Sequence, residues 1–371
     1  MAITQEEIYA AIDLDLSWSE KDLPERERTK HVHRLHPYLG KYVPQLVEEL
    51  FRRHVPAGGR VLDPFAGSGT TLVQALESGL DSAGVDVAAF NCLLIGVKTG
   101  RHDLALVERD VHDALRRFEA GEGEAGEETP YIRTWFAPQA REELLRFRAL
   151  AAEYASADVL RVVLSRAARS ARRTTHFDLD FPREPCTEPY WCFKHRRECR
   201  PVERAGHFLR RYALDTLDRL RSFDAVRSGR EAVVLHGDAR EIELPGRFDA
   251  VVTSPPYPGL IDYHEQHRYA YELLGLRDRG DEEIGAATAG TARQAIDGYC
   301  EGIAAVFRSA AEALVPGGRI VIVVNDRRDL YDTVLDRAGL EVEQRYARHV
   351  NRRTGRRAGE YFEEIIVARP A

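Results

Sequence analysis

The chain has one methionine, its first residue, five cysteines, and no surplus of positive charge: 53 Lys and Arg stand against 60 Asp and Glu, a formal net charge of −7. Each shortage excludes something. A sparse, odd set of cysteines is not a disulfide framework. No apolar run is long enough to cross a bilayer and nothing near the start reads as a signal peptide, so no membrane contact is expected and a reducing cytoplasm is the expected location. A protein that coats nucleic acid through its overall field would be basic; here any such affinity has to come from local patches. No internal repeat is visible. What remains, 371 residues of which 44% are hydrophobic, is ample for one large α/β domain with an insert.

The apolar run Ala250-Val251-Val252 leads directly into Thr253-Ser254-Pro255-Pro256-Tyr257. A strand that ends in two prolines gives up further ladder bonds and fixes its carbonyls outward. A proline-rich turn after a strand would look the same. The sharper reading is chemical. The exocyclic amine of cytosine or adenine is a poor nucleophile because its lone pair is delocalised into the ring. Acceptors gripping both N–H protons, Ser254 Oγ and a Pro255 carbonyl, would return that lone pair to nitrogen, and Tyr257 would stack on the ring.

A second motif, Val61-Leu62-Asp63-Pro64-Phe65-Ala66-Gly67-Ser68-Gly69-Thr70-Thr71, precedes the helical pattern Leu72, Val73, Ala75, Leu76 and the stop Gly79. A short strand, a glycine turn and a helix form the nucleoside-binding start of a Rossmann-like sheet. Gly67 and Gly69 let a ligand approach the backbone, and the helix amino terminus offers free N–H groups. The turn lacks the Gly-Lys-Ser/Thr of a P-loop and the full Gly-x-Gly-x-x-Gly spacing, which argues against a nucleotide triphosphate and a nicotinamide cofactor. A second strand, Ser82 to Asp86, ends in a carboxylate about 20 residues on, where ribose hydroxyls are held.

Together these residues resemble the S-adenosylmethionine-dependent amino-methyltransferases that modify exocyclic nitrogens of DNA bases. Asp63 to Thr71 looks like the family's cofactor motif and Thr253 to Tyr257 like its catalytic motif. The segment His36 to Pro44, with Leu46 and Leu50, is similar to the stretch beside the methionine end of the cofactor. It departs from many relatives in having Gly40-Lys41-Tyr42 where they have Lys-Pro or Phe-Pro, so Tyr38 and Lys41 carry only loose roles. The resemblance implies S-adenosyl-L-methionine as cofactor, with Asp63, Phe65, Gly67, Gly69, Thr70 and Asp86 in its site and Asp238 at the adenine amino group. It makes Ser254, Pro255, Pro256 and Tyr257 catalytic. Serine before the two prolines is typical of the cytosine-N4 enzymes, aspartate or asparagine of the adenine-N6 enzymes. Asp238 as a mere turn cap remains the plainer alternative.

The remaining elements follow by pattern. Val233 to Ala239 reads as a strand, Gln294 to Leu314 as a helix, Val315 to Gly318 as a turn, and Arg319 to Val324 as a strand covered on both faces. A helix near Leu330 to Ala338 and strands near 342–349 and 361–368 would complete the seven-stranded methyltransferase sheet that the resemblance implies. The expected organisation is an N-terminal extension 1–30, a catalytic domain from 31–100 and 231–371, and a mostly helical inserted subdomain 101–230 with a possible role in DNA recognition.

Within that insert, Leu144, Leu145, Phe147 and Leu150, and again Leu209, Ala213, Leu217 and Leu220, recur at helical spacing and read as core. Glu119 to Glu128 reads as an exposed, mobile linker. Arg161, Arg166, Arg169, Arg172 and Arg173 read either as a solvated face or as phosphate contacts, the latter favoured by the base-modifying motif. Arg345, Arg348, Arg352, Arg353, Arg356 and Arg357 form a second basic stretch at a hairpin that could reach DNA. Cys186, Cys192, His195 and Cys199 could close a structural zinc site. Only the Cys192 to His195 step has a usual spacing, however, so packed thiols without a metal are expected.

The mechanism expected is direct in-line methyl transfer to a base flipped out of the duplex. No covalent cysteine intermediate is called for, and Cys92 and Cys300 read as packing residues. Asp262, Tyr263, His267, Arg268 and Tyr269 either shape the base pocket or pack under it. Double-stranded DNA is the expected partner, with room for a cognate restriction endonuclease. N6-adenine DNA methylation, methylation of exocyclic amines in RNA, and a noncatalytic DNA-binding descendant of the same fold stay open.

Overall fold

The structure, a computed structural model, describes residues 13–18, 21–179, 181–350 and 362–371. Its strands in chain order are β1 (Arg60–Asp63), β2 (Asp81–Asp86), β3 (Tyr190–Cys192), β4 (Arg197–Cys199), β5 (Ala232–His236), β6 (Phe248–Thr253), β7 (Leu314–Val324), β8 (Leu340–His349) and β9 (Phe362–Pro370). Seven of them form one sheet in the order β5-β2-β1-β6-β7-β9-β8, while β3 and β4 pair as a separate hairpin. The sheet is parallel except for β9, which is antiparallel to both neighbours. Strand order reverses between β1 and β6, the switch point where open α/β sheets place their ligands.

Alternation along the strands assigns the two faces. Val61, Val252, Val321, Val323, Ile365 and Val367 pack with Leu46, Val47, Leu50 and Phe51 of helix α1 (Pro44–His54). Leu62, Val251, Ile320, Ile322 and Ile366 point the other way, under α11 (Arg293–Glu312) and α12 (Tyr331–Ala338). Both faces are covered, which is why these strands are apolar at successive positions rather than at alternate ones. Helices α2 (Thr70–Glu77) and α3 (Ala89–Thr99) follow β1 and β2 directly in the chain.

Residues 101–230 supply α4 (Leu104–Glu119), α5 (Pro130–Trp135), α6 (Pro138–Ala151), α7 (Ala157–Ala171), α8 (Gly206–Asp224) and the β3–β4 hairpin. Their apolar stripes do not close on themselves. Val111, Phe147, Val163 and Leu217 belong to one continuous cluster with Val73 and Leu76 of α2, Phe90 and Leu94 of α3, and Tyr269 and Leu273 of α10 (Arg268–Leu274).

Two expectations need correction. The turn at Val315 to Gly318 does not precede the strand but lies inside β7: Gly317 takes φ +81°, and the pairing with β6 jumps from Phe248–Leu314 to Ala250–Arg319. Glu119 to Glu128 is exposed along most of its length, as expected, but its first part is tied down: Arg146 donates to the Phe118 and Glu122 carbonyls, and Arg117 is paired with Glu122.

Candidate active site

The site begins with a buried carboxylate. Asp63 ends β1, and the register of β1 on β6 brings it beside the end of β6. Its Oδ1 accepts the Thr253 hydroxyl at 2.6 Å and the Phe65 N–H at 3.1 Å, and its Oδ2 accepts the Thr71 hydroxyl at 2.5 Å. Tyr42 in turn bonds Thr71. Burial pushes the Asp63 carboxyl up from its ordinary value while these donors oppose that shift. Asp63, 1% exposed, is therefore a knot joining the two motifs from below and does not line the cleft above it.

That cleft opens at the ends of β1, β2, β5 and β6. Phe65, Gly67, Thr70, Asp86, Asp238, Ser254 and Pro256, all singled out in the sequence, line it, as do Tyr38 and Lys41. Gly67 sits at φ +52°, and a Cβ there would lie 3.0 Å from the Tyr38 hydroxyl, so only glycine keeps the floor open. Gly69, at φ +78°, is the residue before α2; it shapes the turn against Ile95 from behind and does not line the cleft. Asp86 accepts the Gly67 N–H on one oxygen, and the Ala88 N–H and the Asn91 amide on the other. Burial raises its pKa to about 7 against the pull of those donors. Burial also lowers Lys41 to about 8, its ammonium donating to the His33 carbonyl. Asp238 is clamped by both arms of Arg240.

Beyond the end of β6 the chain turns into a wall. Ser254 and Pro256 face the cleft, Pro255 is buried behind them, and Tyr257 faces a second, adjoining cleft with Tyr299, Asn325, Asp326 and Tyr331. The Ser254 hydroxyl makes no hydrogen bond among the described residues. The Pro256 carbonyl already accepts the Tyr299 hydroxyl at 2.9 Å, and the Pro255 carbonyl accepts no bond among the described residues.

Sequence reasoning missed Glu283 and Tyr299. Glu283 lines the cleft and accepts the backbone N–H groups of Tyr263 and His264; Tyr263, read in the sequence as shaping the base pocket or packing under it, lines this cleft too and stacks on Tyr38 at 5.5 Å. His267 and Tyr269 are buried beside His36 and only support it. Glu283 carried no signal, since nothing local connects it with β1. Tyr299 could have been noticed as an aromatic in an otherwise plain helical stripe.

Against known proteins, the family described as "DNA methylase" (N6/N4) matches residues 10–95. The Type II methyltransferase M.MjaII of Methanocaldococcus jannaschii is 32% identical over 98% of this chain and 84% of its own length. The chain belongs to the S-adenosylmethionine-dependent DNA amino-methyltransferases. The Type II methyltransferase M.MvaI of Kocuria varians shares 33% identity over 22% of this chain and 18% of its own. Among solved structures, an rRNA methyltransferase of Streptomyces viridochromogenes aligns at 14% identity over 90% of this chain and 88% of that one, with a TM-score of 0.37.

The cleft of this DNA methyltransferase fits S-adenosylmethionine by its chemistry. Of the four carboxylates on its wall, Asp238, Glu282 and Glu283 are paired with Arg240, Arg279 and His264, while Asp86 has no cationic partner among the described residues and is placed to accept hydroxyls. Bare backbone at Gly67 and the apolar surfaces of Phe65, Val87 and Ile284 suit a nucleoside.

The two arginine groups are less available to DNA than their clustering suggests. Arg166 is buried, donating to Asp215 and Thr216, and Arg172 is buried over the Tyr269 ring and bonded to the Leu179 carbonyl. Arg161 pairs with Asp158, Arg345 with Asp332, and Arg348 is buried in a two-pronged bond to Glu363. Arg352, Arg353, Arg356 and Arg357 lie outside the described residues.

Proposed function

We propose that this methyltransferase acts on the N4 amine of a cytosine flipped out of double-stranded DNA. The observation that carries the reading is the wall from Ser254 to Tyr257: an unbonded serine hydroxyl on the cofactor side and an aromatic ring on the side of a second, adjoining cleft. S-adenosylmethionine supplies an electrophilic methyl group on a positively charged sulfur. Asp86 would hold the ribose hydroxyls, Asp238 the adenine amine, Phe65 an adenine face, and Gly67 and Thr70 the backbone approach to the methionine end, with Gly69 setting that turn.

On the other side of the wall, Tyr257 would stack on the base, while Ser254 Oγ and the Pro255 carbonyl accept its two amine protons. Concentrating the lone pair on nitrogen lets it attack the methyl carbon in line as the carbon–sulfur bond breaks, and the cationic methylated amine then sheds its surplus proton to solvent. Orientation supplies much of the rate, because the Tyr299 bond to Pro256 and the Asp63 knot fix the wall before substrate arrives. Serine at position 254, the residue typical of the cytosine-N4 enzymes in the family the motif resembles, supports cytosine over adenine.

The test is incubation with labelled S-adenosylmethionine and unmethylated DNA, digestion to nucleosides, and mass spectrometry of the labelled product. N4-methyldeoxycytidine is expected, reduced roughly 10- to 100-fold in rate by Tyr257→Ala, the worth of one lost base stack. Labelled N6-methyldeoxyadenosine would move the assignment to adenine, and label on RNA alone would overturn the substrate class.

A further inference from the structure

A second cluster of reactive side chains lies far along the chain from both motifs, at the β3–β4 hairpin. His176, Cys192, His195 and Cys199 bring one ligand atom each to within 4.8 Å of one another. His195 Nδ1 lies 3.6 Å from Cys192 Sγ and 3.4 Å from Cys199 Sγ, and His176 Nδ1 lies 3.4 Å from Cys192 Sγ. A tetrahedral zinc ion with bonds of about 2.3 Å to sulfur and about 2.0 Å to nitrogen separates neighbouring donors by about 3.5 Å. We propose that this protein holds a structural zinc ion on Cys192, Cys199, His176 and His195.

The fold around the cluster points the same way. Cys192 and Cys199 are buried, yet none of the apolar clusters that build the described molecule includes a residue between Ala171 and Val202. Two three-residue strands cannot hold themselves together in water, and the hairpin instead exposes its large rings, Trp191 at 57% and Phe193 at 75%. A metal is the staple such a piece needs. The Cys192-x-x-His195 step has usual ligand spacing, and the turn between the strands is closed by Arg196 at φ +52°, which brings Cys199 back beside it. His176 arrives from the far side, its backbone N–H bonded to the Tyr190 hydroxyl at 3.1 Å. Cys186, nearer in sequence, is turned away, its thiol bonded to the Glu188 carbonyl. Both cysteines would bind as thiolates, releasing their two protons to solvent, and with two neutral imidazoles they cancel the ion's charge, so the buried centre carries none. Two soft and two borderline ligands in tetrahedral array favour zinc over magnesium or calcium.

The full-length protein, grown with zinc and purified without chelator, is assayed for metal by mass spectrometry. About one zinc per chain is expected, lost in Cys192→Ser and Cys199→Ser and retained in Cys186→Ser. To separate loss of ligand from loss of fold, wild-type protein is stripped and reloaded with cobalt(II); thiolate charge-transfer bands with the strong visible absorption of tetrahedral cobalt are expected. Wild-type protein without zinc and without that cobalt spectrum would overturn the proposal, as would a Cys186→Ser variant that loses metal as fully as Cys192→Ser.

Discussion

Asp86 shows how one side chain ties the site to pH. Its ordinary value is 3.8, and in the folded chain burial lifts it to about 7. Between those values the folded state holds a proton that the unfolded state has released, so this group's contribution to stability falls as the pH climbs from about 4 to about 7 and is level above that. Cofactor binding should run the opposite way, because ribose hydroxyls donate best to an ionised carboxylate. Titration calorimetry should find S-adenosylmethionine binding strengthening as pH rises through about 7 and a flatter profile in Asp86→Asn. Asp63 teaches a different lesson. Thr71→Val should destabilise the protein by roughly 1–3 kcal/mol in urea titration, because it strips one donor from a fully buried carboxylate. The motif alone placed Asp63 near the cofactor. That its oxygens are consumed by Thr253 and Thr71 depends on how β1 pairs with β6, which no local pattern encodes.

At the scale of elements, the sequence was most legible where burial on both faces forces a pattern, as in β6 and β7, and where a glycine turn meets a helix, as before α2. Gly69→Ala should cost roughly 1–2 kcal/mol in thermal unfolding, since it puts a side chain into the left-handed region with its Cβ 2.9 Å from Ile95. Arginines were the least legible. An arginine on a helix looks the same whether it meets phosphate or a buried aspartate, and only the packing of α7 on α8 reveals that Arg166 meets Asp215. Arg166→Ala should lower stability by roughly 1.5–3 kcal/mol while leaving the salt dependence of DNA binding unchanged; a shallower salt slope would return Arg166 to the phosphate contacts. His176 was illegible for a related reason. It stands 16 residues before Cys192, and only the path of the chain after α7 brings the two together.

For the whole molecule, the decisive feature is that residues 101–230 share their apolar cluster with α2, α3 and α10. The inserted length and its helical stripes were readable, because a long stretch with no strand pattern has no place in a doubly wound sheet. The faces the stripes would cover were not readable, because periodicity names a face without naming its partner. A single cooperative transition is expected on heating, and a chain joined directly from 100 to 231 should aggregate rather than yield a smaller folded enzyme. Two transitions by calorimetry would show that the helices fold as a separate unit.

The exposed ring of Trp191 gives the molecule an unplanned optical probe. The chain has three tryptophans, at positions 18, 135 and 191, and none lines the cofactor cleft. Trp18 packs under the sheet and Trp135 within the helical layer, both partly buried, so they should emit towards the blue while Trp191 emits as a solvated indole. Binding of S-adenosylmethionine should therefore leave the emission nearly unchanged, whereas anything that lands on the hairpin should selectively quench its red edge.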